Sequence, residues 1–297
     1  MQITFLGTSS MVPTKERNHS SIYLKFKEHG FLFDCGEGTQ RQIKIAGIKP
    51  SNINYLIISH WHGDHVLGIP GLLQTMAHGG YDKKLKVFGP KGTEEFMKRT
   101  TSFFSTESSL EYNVKELDDE ETFLDNKEFS IIAYKLKHGI ECLGYKFIEK
   151  DRRRINKKFL ESKGVTDGPH LKKLQEGKNI IWNKEKINAE DATYKVKGKN
   201  IGFIFDTRVC QNCNKIAENS DLLISESTFS DEHEEHSRQY RHLTARKAAK
   251  IAKESNSKKI ILTHFSQRYK NANQILKEAK TEFEDVIIAE DFMKITL

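Results

Sequence analysis

A chain of 297 residues, 37% hydrophobic and 30% charged, holds enough apolar sequence for one large domain or two ordinary ones. Its formal charge of +7 points toward a polyanionic partner, subject to where that charge lies. Four scattered cysteines (Cys35, Cys142, Cys210 and Cys213) exclude a secreted disulfide framework and favour a reducing, cytoplasmic setting. No basic leader precedes a long apolar stretch in "MQITFLGTSS", and no run approaches the ~20 apolar residues of a membrane span, so neither export nor insertion is expected.

In chain order, short runs rich in Ile, Phe, Leu and Tyr read as strands: "ITFL", "SIYLKF", "FLFD", "NYLIIS", "KVFG", "FSIIAYKLK", "LGYKFI", "NIGFIFD", "DLLIS", "KIILTH" and "VIIAE". Between them, "TQRQIKIAG", "GIPGLLQTMAHG", "GTEEFMKRTTSFF", "TARKAAKIAKES" and "NANQILKEAKTEF" carry helical spacing. The mixture predicts an α/β chain whose sheets are covered by helices.

The run "NYLIIS" leads into "HWHGDH", which sets His60, His62, Asp64 and His65 within six residues. Imidazole and carboxylate are the usual ligands of zinc and its neighbours, and four in one loop imply more than one metal. His60 and His62, two apart in extended backbone, point to one side and can grip one ion. Asp64 and His65 would face a second where the chain turns into a helix beginning near Val66, with Gly63 permitting the bend. Further polar residues close other apolar strands: Asp34, His138, Asp206, Glu226 and His264. Ligands in α/β folds gather at strand carboxyl ends. His138 and His264 are therefore expected as terminal ligands, and Asp206 as a carboxylate able to bridge two cations. Asp34 is expected to orient a histidine ligand from behind.

With these residues assembled, the chain resembles the metallo-β-lactamase superfamily, whose H-x-H-x-D-H signature matches "HWHGDH" without a gap. That resemblance implies a four-layer αββα sandwich over the whole of residues 1–297, with a dinuclear site at one edge. Within the superfamily, "PTKERN" (residues 13–18), "FDCGEGTQRQ" and "THFSQRY" resemble the ribonuclease Z family, endonucleases that mature the 3′ end of transfer RNA. The family's pattern implies two zinc ions per chain, other divalent metals being possible. His60, His62 and His138 would hold one, Asp64, His65 and His264 the other, and Asp206 both. Asp64 would hold or deprotonate the attacking water. Glu226 and His242 would stand beside the scissile phosphate, the histidine helping the departing 3′ oxygen. "SEST" (residues 225–228) and "HLT" (residues 242–244) depart from the family's usual H-E-A-T and H-S-T. Lys15, Arg17 and Asn18 of the P-x-K-x-R-N loop would touch substrate.

The charge is unevenly placed. Residues 150–199 hold fifteen Lys or Arg against seven Asp or Glu, and the remainder nets −1. This segment interrupts the strand pattern and reads as an inserted basic arm for substrate, with Arg152, Arg153 and Arg154 at its start and Ile155, Phe159 and Leu160 available to pack its tip. Its Gly168-Pro169 pair resembles the G-P motif of the arm with which family members grip transfer RNA. Family members also commonly pair as homodimers. Other features read as ordinary: Cys210 and Cys213 form a C-x-x-C with no second pair at zinc-ribbon spacing, His233 and His236 lie in a polar loop, and Gly36 and Gly38 make a turn, not a nucleotide fingerprint. The leading expectation is a zinc-dependent endoribonuclease that removes the 3′ trailer from precursor transfer RNA, leaving a 3′-hydroxyl and a 5′-phosphate. A small-molecule metallohydrolase (phosphodiesterase, thioesterase or lactonase) leaves the basic segment unexplained. A non-catalytic RNA-binding protein with structural metal conflicts with a ligand set that leaves room for water.

Overall fold

The computed structural model describes residues 1–102 and 110–297. Contacts divide them into two units, one of Met1–Phe123, Ile131–Phe147 and Asn200–Leu297 and the other of Leu124–Ser130 and Ile148–Lys199.

The chain opens with β1 (Gln2–Gly7), β2 (Ser21–Phe26), β3 (His29–Phe33), α1 (Thr39–Ile45), β4 (Tyr55–Ile57), α2 (Gly63–Val66), α3 (Ile69–His78), β5 (Leu85–Pro90), α4 (Thr93–Ser102) and β6 (Tyr112–Leu117). There follow β7 (Glu121–Asp125), β8 (Phe129–Lys137) and β9 (Glu141–Glu149). Shorter pieces come next: β10 (Arg152–Ile155), α5 (Lys157–Ser162), α6 (His170–Gln175), β11 (Ile180–Trp182), β12 (Glu185–Ile187), α7 (Ala189–Ala192) and β13 (Thr193–Val196). The last third holds β14 (Asn200–Ile204), α8 (Gln211–Ala217), β15 (Leu222–Glu226), α9 (Glu234–Tyr240), α10 (Ala245–Glu254), β16 (Ile260–Thr263), α11 (Asn273–Lys280), β17 (Val286–Ile288) and β18 (Lys294–Thr296).

Two seven-stranded sheets result, in the orders β18-β1-β2-β3-β4-β5-β6 and β17-β16-β15-β14-β9-β8-β7. Strands β3 to β6 run parallel in the first, and β14 to β17 in the second. Parallel strands buried on both faces need unbroken apolar runs, which explains "FLF", "NYLII" and "KIILT". Alternation sorts the side chains: Phe33 of β3 stacks on Phe203 of β14 with centroids 4.1 Å apart, joining the inner faces of the two sheets. Leu32, one residue earlier, faces the other way into a cluster with Ile43 of α1 and Leu72 and Met76 of α3. On the second sheet, α10 buries Ala248, Ala249, Ile251 and Ala252. The sheets are thus the inner layers of an αββα sandwich, as the resemblance implied.

The smaller unit has its own apolar cluster, formed by Leu160, Val165, Leu174, Ile180, Ile187, Ala189 and Ala192, with Ile155 and Phe159 against it. Its strands pair as β10 with β13 and β11 with β12. It reaches beyond residues 150–199 because Lys150 N–H donates to the Glu128 carbonyl at 2.8 Å, drawing in Leu124–Ser130. The two ends of the segment meet: Glu149 N–H donates to the Lys199 carbonyl at 2.9 Å and Gly198 N–H to Asp151 Oδ1 at 2.9 Å. A Cβ at Gly198 would lie 1.9 Å from the Glu149 carbonyl oxygen, so only glycine allows this closure.

Most predicted elements coincide with observed ones. The helix predicted near Val66 starts earlier, at Gly63, so Asp64 and His65 sit within α2. Gly63 has no positive φ, and a Cβ there would meet only the far end of the Leu67 side chain, so glycine is not what permits the bend. The last two residues of "GTEEFMKRTTSFF", Phe103 and Phe104, lie outside the described residues. Among the described residues no helix is long and apolar enough to cross a membrane.

Candidate metal centre

The strand ends converge. His60 and His62 follow β4, and Asp64 and His65 belong to α2, which packs close because Gly36 lies so near that a Cβ would sit 2.3 Å from the Asp64 carbonyl oxygen. From the second sheet come His138 after β8, Asp206 after β14 and His264 after β16. Asp34 and His264 both adopt left-handed backbone, with φ 57° and 63°, a conformation that costs energy in a non-glycine residue and clusters at functional sites.

Among the described residues three groups of donor atoms form; two of them share Asp206, and the third, Glu226, His242 and His264, borders them. In the first, His60 Nε2 lies 3.1 Å from His62 Nδ1, and His138 Nε2 lies 3.2 Å from the same atom. Asp206 Oδ2 stands 3.6 Å from His60 Nε2 and 3.9 Å from His138 Nε2. In the second, His65 Nε2 and His264 Nε2 are 3.2 Å apart. Asp64 Oδ2 lies 3.4 Å from His65 Nε2 and 3.3 Å from His264 Nε2, and Asp206 Oδ2 lies 3.5 Å from His65 Nε2. Donors about 2.0–2.1 Å from a tetrahedral ion are separated by roughly 3.3 Å, so both groups fit a divalent cation. Asp64 Oδ1 and Asp206 Oδ1 are buried without a hydrogen-bond partner among the described residues, an arrangement that cations would relieve.

Electrostatics agree with that chemistry. Burial, and then the positive charge of His65, push His60 well below the ordinary histidine range, and burial lowers His62 and His138, so all three favour the neutral, ligating form. Burial opposes charge on His65, but Asp64, Asp206 and Asp34 outweigh it and raise its pKa well above the ordinary histidine value, favouring positive charge at a position where a cation bound at Nε2 would supply it in place of a proton. Burial likewise opposes ionisation of Asp64 and Asp206, yet the surrounding histidines hold both well below the carboxylate range.

Behind these donors lies a supporting layer. Asp34 Oδ2 accepts from His65 Nδ1 at 2.7 Å and from Ser59 Oγ at 2.7 Å, while Oδ1 accepts from Ser59 N–H at 2.7 Å. The proton on His65 Nδ1 leaves Nε2 free to ligate. On the other side, His264 Nδ1 donates to Thr228 Oγ1 at 2.9 Å, and that hydroxyl donates to Glu226 Oε2 at 2.7 Å. Glu226 is 1% exposed and also takes the backbone N–H of Thr207 at 2.9 Å and of Leu243 at 3.1 Å. His242 Nδ1 is 3.1 Å from Glu226 Oε1 and 3.8 Å from Asp206 Oδ2. Burial disfavours its charge, but these carboxylates push it up to about 9, so its Nε2 carries a proton at neutral pH.

The centre opens into a cavity of about 430 Å³ lined by His62, Asp64, His138, Asp206, His242 and His264, with Met11, Phe229, Tyr240 and Arg268 among its other walls. The sequence reading missed Ser59 and Thr228, whose hydroxyls orient ligands, and the apolar wall residues. No spacing rule marks a single hydroxyl, although both are immediate or near neighbours of ligands or their supports. Of the loop residues, Lys15 is exposed, whereas Arg17 donates to the Tyr269 carbonyl at 3.1 Å and lies over the Phe265 ring, and Asn18 donates to the Asp291 carboxylate at 2.8 Å and the Glu37 carbonyl at 2.8 Å. These two pin the loop to the protein. In the smaller unit, Arg152 pairs with Glu149 and Arg153 donates to Thr193 Oγ1 at 3.1 Å, while Arg154 is exposed and Pro169 precedes α6 after Gly168.

Two sheets in this order, with histidine and aspartate donors at the strand ends, define a metallo-β-lactamase fold with a divalent metal centre. A crystal structure of the metallo-β-lactamase fold protein YhfI from Bacillus subtilis is similar, with TM-score 0.72 and 20% identity over 99% of this chain and 98% of that one. Residues 1–148 match the family described as Anti-Pycsar protein Apyc1, a stretch that ends before Asp206 and His264. Ribonuclease Z of Bacillus cereus (strain B4264) is 39% identical over 98% of this chain and 97% of its own length. The crystal structure of human tRNase Z, short form, has TM-score 0.74 and 28% identity, covering 100% of this chain and 99% of that one. The chain belongs to the ribonuclease Z family.

Proposed function

We propose that the protein is an endoribonuclease that removes the 3′ trailer from precursor transfer RNA in the cytoplasm, using two zinc ions per chain, and that it acts as a homodimer. The observation that carries the reading is the pair of donor groups sharing Asp206 in a chain related to ribonuclease Z over almost its full length. Divalent cations bound there would supply Lewis acidity toward water and the phosphate oxygens. Asp64 then positions the attacking water and accepts its proton at Oδ1, the oxygen left without a partner. His242, held by Glu226, delivers a proton from Nε2 to the departing 3′ oxygen. Asp34 and the Thr228–Glu226 pair keep His65 and His264 aimed.

Residues 150–199 serve as an arm that holds the folded RNA away from the scissile bond, a role supported by their net charge of +8. The test is incubation with a 3′-extended transfer RNA transcript and mapping of both ends. A 3′-hydroxyl on the transfer RNA and a 5′-phosphate on the trailer are expected. Hydrolysis of small phosphodiesters with the transcript left intact would overturn the reading.

A further inference from the structure

Cys210 and Cys213 stand outside the metal centre, and nothing above uses them. Cys213 N–H donates to the Cys210 carbonyl at 3.0 Å, a turn that brings residues three apart onto one side, and the two Sγ atoms are 3.5 Å apart. Closing that gap to a disulfide bond needs a shift of only about 1.5 Å. Exposure is unequal: Cys210 is half-buried and reachable, and Cys213 is fully buried behind it. We infer that Cys210 and Cys213 form a redox-active dithiol, a modification site at which Cys210 reacts with small-molecule disulfides and Cys213 resolves the product.

The neighbours favour that division of labour. The Cys213 thiol donates to Cys210, with added support from the backbone N–H groups of Cys213 and Asn212 and from the Thr207 hydroxyl, lowering Cys210 to about 6 against the opposing effect of burial. Cys213 is raised by the same contact and by burial, so it keeps its proton until the second step. Burial also raises Cys35 and Cys142, which leaves them poor nucleophiles. In the first step the Cys210 thiolate forms a bond to one sulfur of the disulfide, and the other sulfur departs as a thiolate. In the second, Cys213 loses its proton to that thiolate and its sulfur displaces the remaining thiolate from Cys210. The protein sulfurs lose two electrons, the reagent's disulfide gains them, and two reduced thiols result once a solvent proton is counted.

The test uses the full-length protein with its metals, oxidised glutathione as probe, an alkylating quench, and intact mass with peptide mapping. The unaltered chain is expected to lose two hydrogens, to carry a Cys210–Cys213 disulfide, and to revert fully with dithiothreitol, while Cys35 and Cys142 remain reduced. Cys213→Ser should stop at a glutathione adduct on Cys210, and Cys210→Ser should leave Cys213 unreacted. The experiment on the unaltered chain decides without the variants: an adduct on Cys210 that never closes, first reaction at another cysteine, or no reaction at all would each overturn the inference. None of these outcomes depends on whether transfer RNA is the substrate.

Discussion

Replacing residues 152–197 with a short Gly/Ser linker should separate substrate recognition from hydrolysis. The ends of the excision are already adjacent, since Gly198 N–H donates to Asp151 Oδ1 at 2.9 Å, so a few residues close the gap without strain. The removed segment carries thirteen Lys or Arg against six Asp or Glu, a net +7 that takes the whole chain from +7 to zero. Lys157, Lys158, Lys172 and Lys173 are exposed with no carboxylate at ion-pair distance among the described residues, and so are free to meet phosphates. If each of these four lysines neutralises one phosphate, their removal should reduce the log–log salt slope of RNA binding by roughly 3, which between 50 and 200 mM salt is about a 10²-fold difference in relative affinity. Every proposed metal ligand lies outside the excision, so metal content and hydrolysis of a small chromogenic phosphodiester should persist. Filter binding across a salt series, paired with cleavage of both substrates, reads the outcome. Equal retention of both activities would refute the role of the arm, and loss of both together with the metal would show that the excised residues are needed for the fold.

Elemental analysis should find about two zinc-like ions per chain, and chelation should abolish cleavage; full activity at one ion or none would exclude the shared-carboxylate centre. Asp64→Ala should lose cleavage while keeping nearly all precursor affinity, measured by single-turnover kinetics beside a binding isotherm. For His242→Ala the cleavage rate should fall by roughly 10² to 10⁴ with metal content unchanged, and a variant that sheds its metal would reassign that histidine. Thr228→Val removes the hydroxyl between His264 and Glu226 and should weaken metal affinity by about 10- to 100-fold in a chelator competition without loss of fold. Tyr145→Phe deletes a buried hydrogen bond to the Ile58 carbonyl of 2.6 Å and should cost about 1–3 kcal/mol in urea unfolding, with activity retained below the transition.

How much of this was legible in the sequence depended on the kind of residue. Buried parallel strands such as β14 and β16 announce themselves as unbroken apolar runs, and the ligands after them, Asp206 and His264, are conspicuous because an ionisable residue ends each run. The strands β6 and β7 escaped the reading: "YNVKEL" and "ETFLD" sit toward the sheet edges, leave only one residue each fully buried, and look like loop. In the smaller unit, Phe159 and Leu160 were visible as a packing pair, but Leu174, Ile180 and Ile187 fall in elements of three to six residues, too short for a period to show. Gly63 was misjudged because the bend is made by the extended backbone of His62 leading into α2, which any residue can adopt. Ser59 and Thr228 carry no signal beyond their neighbours, since a hydroxyl's partner is chosen by tertiary structure alone.

Each donor group draws from both sheets: the first combines His60 and His62 with His138 and Asp206, and the second combines Asp64 and His65 with His264 and Asp206. His65 and His264 are 199 residues apart in sequence yet 3.2 Å apart in space. A folding intermediate with one sheet formed therefore has half of each coordination set and neither complete one. Pairings so distant in sequence form late and slowly, because the chain entropy of closing such long loops must be overcome first. Divalent ions held by these donor groups would therefore favour the fully docked sandwich over partly folded chains and shift the population toward it by mass action.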